Sequence, residues 1–517
     1  SSFSLGRQTL DIGTIRDVLN VAYVLEGSVR RDGDRLKVTA QLIDTSDSSH
    51  VWSQVFERSP DELASVRQTI AERISAAILP GSAPVTVAEP ARTLSPNESL
   101  LLARYYEQEV REQPEVDEDL LAEAIRLYRD AIEAQPDSAL AHSRLAGALL
   151  YGGDVDAAEA PIFRALTLDP GLSAVQETLG RFFWLRGLPG AGAAWRRAVE
   201  LNPNNADALQ SYGYWYWMQG NKEGPEDYFR RAQQLDPLSL SRYAALGNYY
   251  AHEARIDETL AVIDRIERKF DNAAAFRLIA RLQELTGRID ESIAWTIRAR
   301  DLEPDNPDHT AALAELYADI GDIDTAIRLE PEPGTGLLLK MRRYREAIDA
   351  GEMMMIEHPE DLYLRYLLAF AYNVSGRSGD AVRLLETTGL PDTVIPEARQ
   401  AIDVEAFVTL VDALAAIGAT ERSHELGEWW VDRQHSENPN WWIQLYVACP
   451  LAVIGRHDEA LDRLERIADS PRLPWSFLVR DSHCFRQYAR EPRYLAIVDT
   501  IEARRAALRA RVPATLG

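Results

Sequence analysis

The sequence is poor in cysteine and in basic residues, and it contains no long apolar run. Its 517 residues include two cysteines, and 81 acidic residues outnumber 56 Lys and Arg, giving a net charge of −25. This excess disfavours a general phosphate-binding surface, so we expect no direct binding of nucleic acid. No run approaches the ~18 apolar residues of a membrane-spanning helix, and no charged-then-apolar leader opens the chain. The sequence predicts no transmembrane segment, and its first residues, SSFSLGRQTL, resemble the interior of a domain that continues upstream.

Motifs for catalysis and for metal binding are also missing. There is no GKS or GKT, no HExxH and no GxSxG, so the sequence lacks a P-loop, a zinc-protease helix and a nucleophile elbow. The glycine-rich stretch Gly187–Gly192 follows no strand, and we expect a turn between paired helices there. The nine histidines are scattered, and His483 beside Cys484 has no evident partner. We therefore expect no catalytic residue, no metal site and no cofactor in this chain.

The two cysteines, Cys449 and Cys484, form no CxxC pair and lack the close Cys/His grouping of zinc sites. They lie 35 residues apart, about one structural repeat. Stacked repeats bring equivalent positions close together, so a disulfide would form if the compartment is oxidising. Two separate buried thiols are the alternative.

What the sequence does contain is a repeat. The segments DAIEAQP, RALTLDP, RAVELNP and RAQQLDP end at Pro136, Pro170, Pro203 and Pro237, with spacings of 34, 33 and 34 residues. Within one unit, Leu209, Tyr212 and Tyr216 recur at helical spacing. Glycine or asparagine ends the first helix of a unit, and proline stops the second. This period predicts an array of helical pairs.

The repeats resemble the tetratricopeptide repeat (TPR), because small and large residues alternate at its positions. One unit has Leu145, Leu149, Ala158, Ile162, Ala165 and Pro170; the next has Leu179, Gly180, Phe183, Ala191, Trp195, Ala198 and Pro203; a third has Tyr212, Gly213, Tyr216, Phe229, Ala232 and Pro237. In the third unit Pro225 stands where alanine is usual, so we expect the second helix to start at or after it. The resemblance implies a mainly α fold, a right-handed TPR α-solenoid of about ten helical pairs.

A different pattern precedes the repeats. Thr14–Val21 is helix-like, Ala22–Arg31 and Arg35–Thr45 are strand-like with a hairpin at Asp32, His50–Arg58 alternates again, and a helix follows from Ser59. YVLEGSVRRDGDRLKVTAQLIDTSDSSHVWSQVFER resembles the TolB-like domain of bacterial signalling proteins. That family's first strand and helix have no counterpart here. We therefore expect a small, partial α+β domain with a three-stranded antiparallel sheet.

These patterns divide the chain into six parts. They are a partial TolB-like domain at 1–80, a linker at 81–95, regular TPR repeats at 96–304, an irregular repeat at 305–359, further TPR-like repeats at 360–470 and C-terminal capping helices at 471–517. Within the irregular repeat, Glu330–Gly336 breaks a short second helix.

The resemblance implies a non-catalytic sensory or protein-interaction region of a bacterial signal-transduction or transcription-regulatory protein. In that family such regions accompany winged-helix regulators, class III adenylate or guanylate cyclases, or protein kinases. Two alternatives stay open: the regulatory part of a cyclase or kinase whose catalytic domain lies upstream, and a stand-alone assembly scaffold. The periplasmic side of an inner-membrane protein and the cytoplasm are both open locations, and so is homo-oligomerisation.

The expected partner is a protein or peptide held in the TPR groove, which the first helix of each unit lines. The residues about 100° from the structural positions of these helices form the predicted partner-binding strip: Glu177, Arg181, Trp184, Gln210, Tyr214, Trp217, Asn248, His252, Arg277 and Arg281. Trp, Tyr and Arg are enriched at binding hot spots. Such a strip suits an extended peptide or a helix with spaced apolar anchors. The same rings could instead fill a groove that the repeats close by themselves.

Overall fold

The computed structural model describes residues 23–32, 35–44, 50–58, 96–112, 118–221, 223–386, 401–433, 441–474 and 476–512. The described chain is mainly helical, and its helices follow one another as a TPR-like solenoid, which confirms the predicted class. The two helices predicted to flank the strands, and the linker at 81–95, lie outside these residues.

The strands precede the helices and pair in the order β1-β2-β3. They are β1 Tyr23–Asp32, β2 Arg35–Asp44 and β3 His50–Arg58, all antiparallel to their neighbours. A register irregularity between β2 and β3 falls at Leu42 and Ile43, which are both buried. The pairing skips Val51 of β3, so the extra residue lies on β3, and Leu42 and Ile43 are both buried although successive strand residues ordinarily point to opposite faces.

Helices from Pro96 to Asp469 form eleven consecutive pairs in the described residues, close to the predicted ten. They are α1 Pro96–Glu112, α2 Glu118–Ala134, α3 Ala139–Tyr151, α4 Val155–Leu168, α5 Ser173–Leu185, α6 Ala191–Leu201, α7 Ala206–Met218, α8 Pro225–Leu235, α9 Leu240–His252, α10 Ile256–Lys269, α11 Ala273–Leu285, α12 Ile289–Leu302, α13 Pro307–Asp319, α14 Ile323–Leu329, α15 Thr335–Lys340, α16 Tyr344–Glu357, α17 Leu362–Val374, α18 Ser378–Glu386, α19 Ala401–Ala416, α20 Thr420–Arg433, α21 Trp441–Val453 and α22 His457–Asp469. Then come α23 Ser476–Asp481, a 3-10 helix His483–Tyr488 and α24 Pro492–Arg511.

Local sequence sets the ends of these helices. The Ser138 hydroxyl accepts a hydrogen bond from the Ala141 amide at the start of α3, as an N-cap does. Helix α8 begins at Pro225, as the sequence predicts, because proline is tolerated at a first helical position. Helix α14 has only seven residues and ends before Pro331, which accounts for the irregular repeat.

Small residues let paired helices approach each other. A Cβ atom added to Gly180 on α5 would lie 2.6 Å from the indole ring of Trp195 on α6. The indole nitrogen of Trp195 donates to the carbonyl oxygen of Glu177, 3.1 Å away, which fixes the ring against α5. The alternation of glycine and tryptophan in this unit therefore gives the close helix contact that the repeat pattern predicts.

The chain contains two compact units. One comprises the described residues up to Tyr212 together with Asp227–Arg242, and its helical core runs from Ala103 to Ala194. The other comprises Gly213–Glu226 and the described residues from Tyr243 onward, with a continuous core between Ile289 and Leu508.

In the second unit, the C-terminal segment, which the sequence predicts to cap the last repeat, packs back onto the irregular repeat. The guanidinium of Arg505 on α24 donates to the carbonyl oxygens of Asp319 (2.8 Å) and Ala318 (3.0 Å) at the end of α13. Arg342 forms a bidentate ion pair with Asp481 on α23. The irregular repeat therefore provides the binding surface for the tail.

The buried Glu405 of α19 predicts a pH-dependent stability. Burial raises its pKa to about 7, although a hydrogen bond from the Tyr446 hydroxyl (2.6 Å) opposes this shift. Because the folded-state pKa lies above the unfolded value, this stabilisation is complete below pH 4.5 and is lost as pH rises through 7. Between pH 5 and pH 8 the unfolding free energy should fall by about 2–3 kcal/mol through this group. In the Glu405→Gln variant, urea unfolding at the two pH values should show a pH dependence smaller by that amount.

The matched control is Glu357→Gln, which changes an exposed glutamate on α16. It should retain the pH dependence of the parent chain. An unchanged pH dependence in Glu405→Gln would contradict the assignment.

Candidate ligand-binding groove

The predicted strip lies on four first helices, α5, α7, α9 and α11. Its members on α5, together with Gln210, belong to the first unit, and the others belong to the second unit. Each unit is therefore considered separately.

In the first unit, the strip is engaged in internal contacts. Glu177 is 5% exposed, and its Oε1 accepts hydrogen bonds from Arg181 Nη2 (2.8 Å) and the Ser211 hydroxyl (3.3 Å). Gln210 Oε1 accepts from Arg242 Nη1 (2.7 Å). The carboxylate of Glu177 and the side-chain amide oxygen of Gln210 thus hold neighbouring helices together. Glu177 is too buried to contact a ligand.

Trp184 is half-buried at the end of α5. Its ring centroid lies 6.0 Å from that of Trp195, with the rings inclined at 45°. Trp195 is itself buried against Gly180. Trp184 therefore extends the internal contact between α5 and α6, and part of its surface stays accessible.

In the second unit, three strip members and Tyr249, a residue outside the strip, form a cluster of rings that we call the aromatic patch: Tyr214, Trp217, Tyr249 and His252. The ring of Trp217 has its centroid 5.9 Å from that of Tyr214, 5.6 Å from Tyr249 and 5.6 Å from His252. Its indole nitrogen donates to Glu253 Oε1 at 2.8 Å, which fixes the ring. Tyr214 is 46% exposed, so the patch offers a preformed aromatic edge to the outside.

Two guanidinium groups influence the aromatic patch. Burial, together with the positive charges of Arg472 and Arg281, lowers the pKa of His252 to about 4, so the imidazole is neutral at pH 7. Burial raises the pKa of Tyr214, and Arg281 partly opposes this rise. Arg281 is exposed and makes no hydrogen bond or ion pair with the described part of the chain. It is therefore available to an anionic group of a ligand.

The remaining predicted members are less accessible. Arg277 Nη1 donates to Glu303 Oε2 (2.9 Å), and His309 Nε2 lies 3.0 Å from the same carboxylate oxygen. The amide oxygen of Asn248 is buried and has no hydrogen-bond partner among the described residues. Of the strip members in the second unit, Tyr214 and Arg281 are exposed, and Trp217 is partly exposed beside Tyr214.

Sequence reasoning missed two residues beside the strip. Tyr249 follows Asn248 directly, and its ring lies in the patch because α9 turns it toward Trp217. Arg472 follows α22 and pairs with Glu284 of α11 at 3.5 Å. A repeat pattern could have indicated Tyr249, since the aromatic pair Tyr249–Tyr250 occurs in a first helix. No sequence pattern around Arg472 indicates that it lies beside the strip.

Away from the groove, Cys449 and Cys484 are joined as a disulfide with their Cα atoms 5.7 Å apart, a usual separation for such a bond. Asp412 lies next to them, and these three side chains form a group that could hold a metal ion. The sequence predicts no such group, because Asp412 stands in a different repeat. No helix in the described ranges is long and apolar enough to cross a membrane.

Comparison with known proteins supports the repeat assignment. Residues 115–173 and 185–239 match the family described as Tetratricopeptide repeat. "Putative adenylate cyclase 3" of Rhizobium meliloti (strain 1021) is 36% identical over 74 residues, which make up 14% of this chain. The match spans only 13% of that curated relative.

Among solved structures, two shorter chains match part of this one. PilW, a widely conserved type IV pilus biogenesis factor, has 19% identity and a TM-score of 0.33, covering 38% of this chain and 91% of that one. TTC0263, a thermophilic TPR protein of Thermus thermophilus, has 19% identity and a TM-score of 0.31, covering 35% and 98%. Residues 115–173 and 185–239 of the present chain are a tetratricopeptide-repeat region.

Proposed function

We propose that this chain is a non-catalytic sensory or protein-interaction region of a bacterial signal-transduction or transcription-regulatory protein. It binds a peptide or protein at the aromatic patch and Arg281. The observation that carries this proposal is the exposed ring of Tyr214, packed against Trp217 and close to the unpaired guanidinium of Arg281.

The chemistry of the patch defines the ligand. Packed aromatic rings lose little conformational entropy when a ligand binds, so they serve as anchors for an apolar side chain. A free guanidinium forms paired hydrogen bonds with a carboxylate. We therefore expect an extended or helical peptide with an apolar side chain and a nearby acidic group.

The Tyr214→Ala/Arg281→Ala double variant should bind such a peptide more than about tenfold more weakly than the parent chain, a loss of at least about 1.4 kcal/mol. Peptides would be selected from a phage-displayed library on the parent chain, and their Kd values measured by fluorescence anisotropy. The fold should persist, because Tyr214 and Arg281 are exposed. Trp217→Ala would be less informative, since it also removes the hydrogen bond to Glu253.

The matched control is Tyr363→Ala with Arg129→Ala, an exposed tyrosine and an exposed arginine elsewhere in the chain. This variant should bind the selected peptides as the parent does. Equal affinities for the parent and for Tyr214→Ala/Arg281→Ala would place the ligand outside the patch.

A second candidate function is the regulatory part of an adenylate or guanylate cyclase. The 36% identity with the Rhizobium meliloti protein named as an adenylate cyclase favours it. The resemblance of residues 23–58 to a TolB-like domain is compatible with both candidates. The reading frame that encodes the upstream residues decides between them: a cyclase domain supports the second candidate, and a winged-helix domain supports the transcription-regulatory form of the first.

A further inference from the structure

Three helical segments of the second unit bring together two sulfur atoms and a carboxylate. Asp412 lies on α19, Cys449 on α21 and Cys484 in the 3-10 helix. One carboxylate oxygen and both Sγ atoms all lie within 4.8 Å of one another. The three residues are between 3% and 5% exposed, so the group is enclosed by protein.

Hydrogen bonds from neighbouring residues hold the carboxylate of Asp412 through its Oδ2. Its Oδ2 accepts hydrogen bonds from Asn373 Nδ2 (2.9 Å) and from the backbone amide of His483 (3.0 Å). The Ser378 hydroxyl donates to Asn373 Oδ1 (2.7 Å), which turns the amide nitrogen of Asn373 toward Asp412. Asp412 Oδ1, by contrast, is buried and has no hydrogen-bond partner among the described residues. A buried oxygen in this condition is costly unless a cation or a donor satisfies it.

An imidazole nitrogen lies beside this oxygen. His483 Nδ1 is 3.8 Å from Asp412 Oδ1, and Nδ1 also lacks a hydrogen-bond partner within the described ranges. His483 directly precedes Cys484, so the 3-10 helix supplies both side chains. The imidazole nitrogen therefore lies beside the carboxylate of Asp412, next to the group of two sulfurs and one carboxylate oxygen.

We propose that this group is a redox-controlled site for a zinc-like divalent cation, which binds when the disulfide is reduced. The three ligands already grouped are the thiolates of Cys449 and Cys484 and the Oδ1 of Asp412, and His483 Nδ1, which lies beside Asp412, moves in as the fourth when the cation binds. Thiolate, imidazole and carboxylate are the ligands that Zn²⁺ takes in tetrahedral sites. The donors that hold Asp412 Oδ2 fit the usual outer contacts of a metal-bound carboxylate.

The disulfide form excludes the cation, because its sulfurs carry no negative charge. Reduction adds two electrons and two protons to the S–S bond, and a dithiol supplies both as it closes its own disulfide. Binding of the dication then releases the two thiol protons. A cellular dithiol reductant thus controls whether the site can load.

The test uses the full chain in two anoxic pools, one oxidised and one reduced with a water-soluble phosphine that becomes a phosphine oxide. Co²⁺ and Zn²⁺ are added as the metals alone. The chain has two cysteines, so thiolate-to-cobalt absorption reports this site and no other. We expect one equivalent of tetrahedral cobalt in the reduced pool and none in the oxidised pool. Zinc affinity is measured by competition with a chromophoric chelator.

Asp412→Asn keeps an acceptor for Asn373 and for the His483 amide, so it should fold, but it should bind zinc at least about tenfold more weakly. Asp349→Asn, which changes an exposed aspartate on α16, should bind as the parent does. His483→Ala should also weaken binding. Absence of thiolate-bound cobalt in the reduced parent, or parent-like zinc affinity of Asp412→Asn, would overturn the proposal.

Discussion

Replacement of Lys340 by methionine should lower the unfolding free energy at pH 7.5 by about 3–5 kcal/mol, the usual cost of breaking a buried ion pair. Its ammonium nitrogen lies 3.1 Å from Asp319 Oδ2 and 3.1 Å from Glu315 Oε2, and the Lys340 side chain is 11% exposed. Burial disfavours the charged form of Lys340, but Asp319, Glu315 and Glu284 more than reverse this and raise its pKa. Without the cation, the buried carboxylate of Asp319 is left without its ion-pair partner and close to Glu315.

The loss of unfolding free energy in Lys340→Met should become smaller as the pH falls. Burial raises the pKa of Asp319 to about 6 even beside Lys340, and removal of the cation raises it further. A carboxyl group with a raised folded-state pKa stabilises the fold at low pH and loses that contribution as pH rises. Urea unfolding at pH 5 and pH 7.5 should therefore show the smaller effect of Lys340→Met at pH 5.

A double variant supplies the control. Lys340→Met/Asp319→Asn removes the buried charge together with its partner, so it should be more stable at pH 7.5 than Lys340→Met alone. A double variant as unstable as the single one would show that lost packing around the lysine stem, and not the uncompensated carboxylate, is responsible.

Most of the fold can be predicted from the sequence, because the residues that end the helices act locally and recur in each repeat. The start of α8 at Pro225 follows from the conformational limits of proline, and the short α14 follows from the prolines after it. The same periodicity brings Cys449 and Cys484 together, since stacked repeats align positions about one period apart.

The candidate site is less predictable, because its contacts join helices with no fixed sequence offset. Helical spacing assigns Glu177 to the groove face, but Ser211 from the next unit and Arg181 enclose its carboxylate. Arg472 approaches His252 from a loop more than 200 residues away in the sequence. Asp412 likewise reaches the cysteines from another repeat. Such residues become visible only when the helices are packed.

Gly287→Ala should be among the most destabilising single substitutions in the second unit. Gly287 lies in the turn between α11 and α12 with φ +79°, and a Cβ atom there would lie 1.8 Å from the carbonyl oxygen of Pro471. The same oxygen accepts a hydrogen bond from Arg504 Nη2 at 2.7 Å, so the Pro471 segment is held in place. We expect the unfolding free energy to fall by about 1–2 kcal/mol because alanine disfavours the left-handed backbone, and by about 1–3 kcal/mol because the Pro471 carbonyl is displaced.

Gly418→Ala separates these two contributions. Gly418 has the same φ of +79° in the turn after α19, but a Cβ atom there would meet nothing within 4 Å. Its substitution should therefore cost only the backbone part, measured by urea unfolding under identical conditions. In Gly287→Ala, the displacement of Pro471 also moves the next residue, Arg472, away from His252. The pKa of His252 should therefore rise from about 4 in Gly287→Ala and stay unchanged in Gly418→Ala. Titration of the His252 ring by NMR measures this shift, and equal stabilities with equal His252 pKa values in the two variants would contradict the close contact between Pro471 and Gly287.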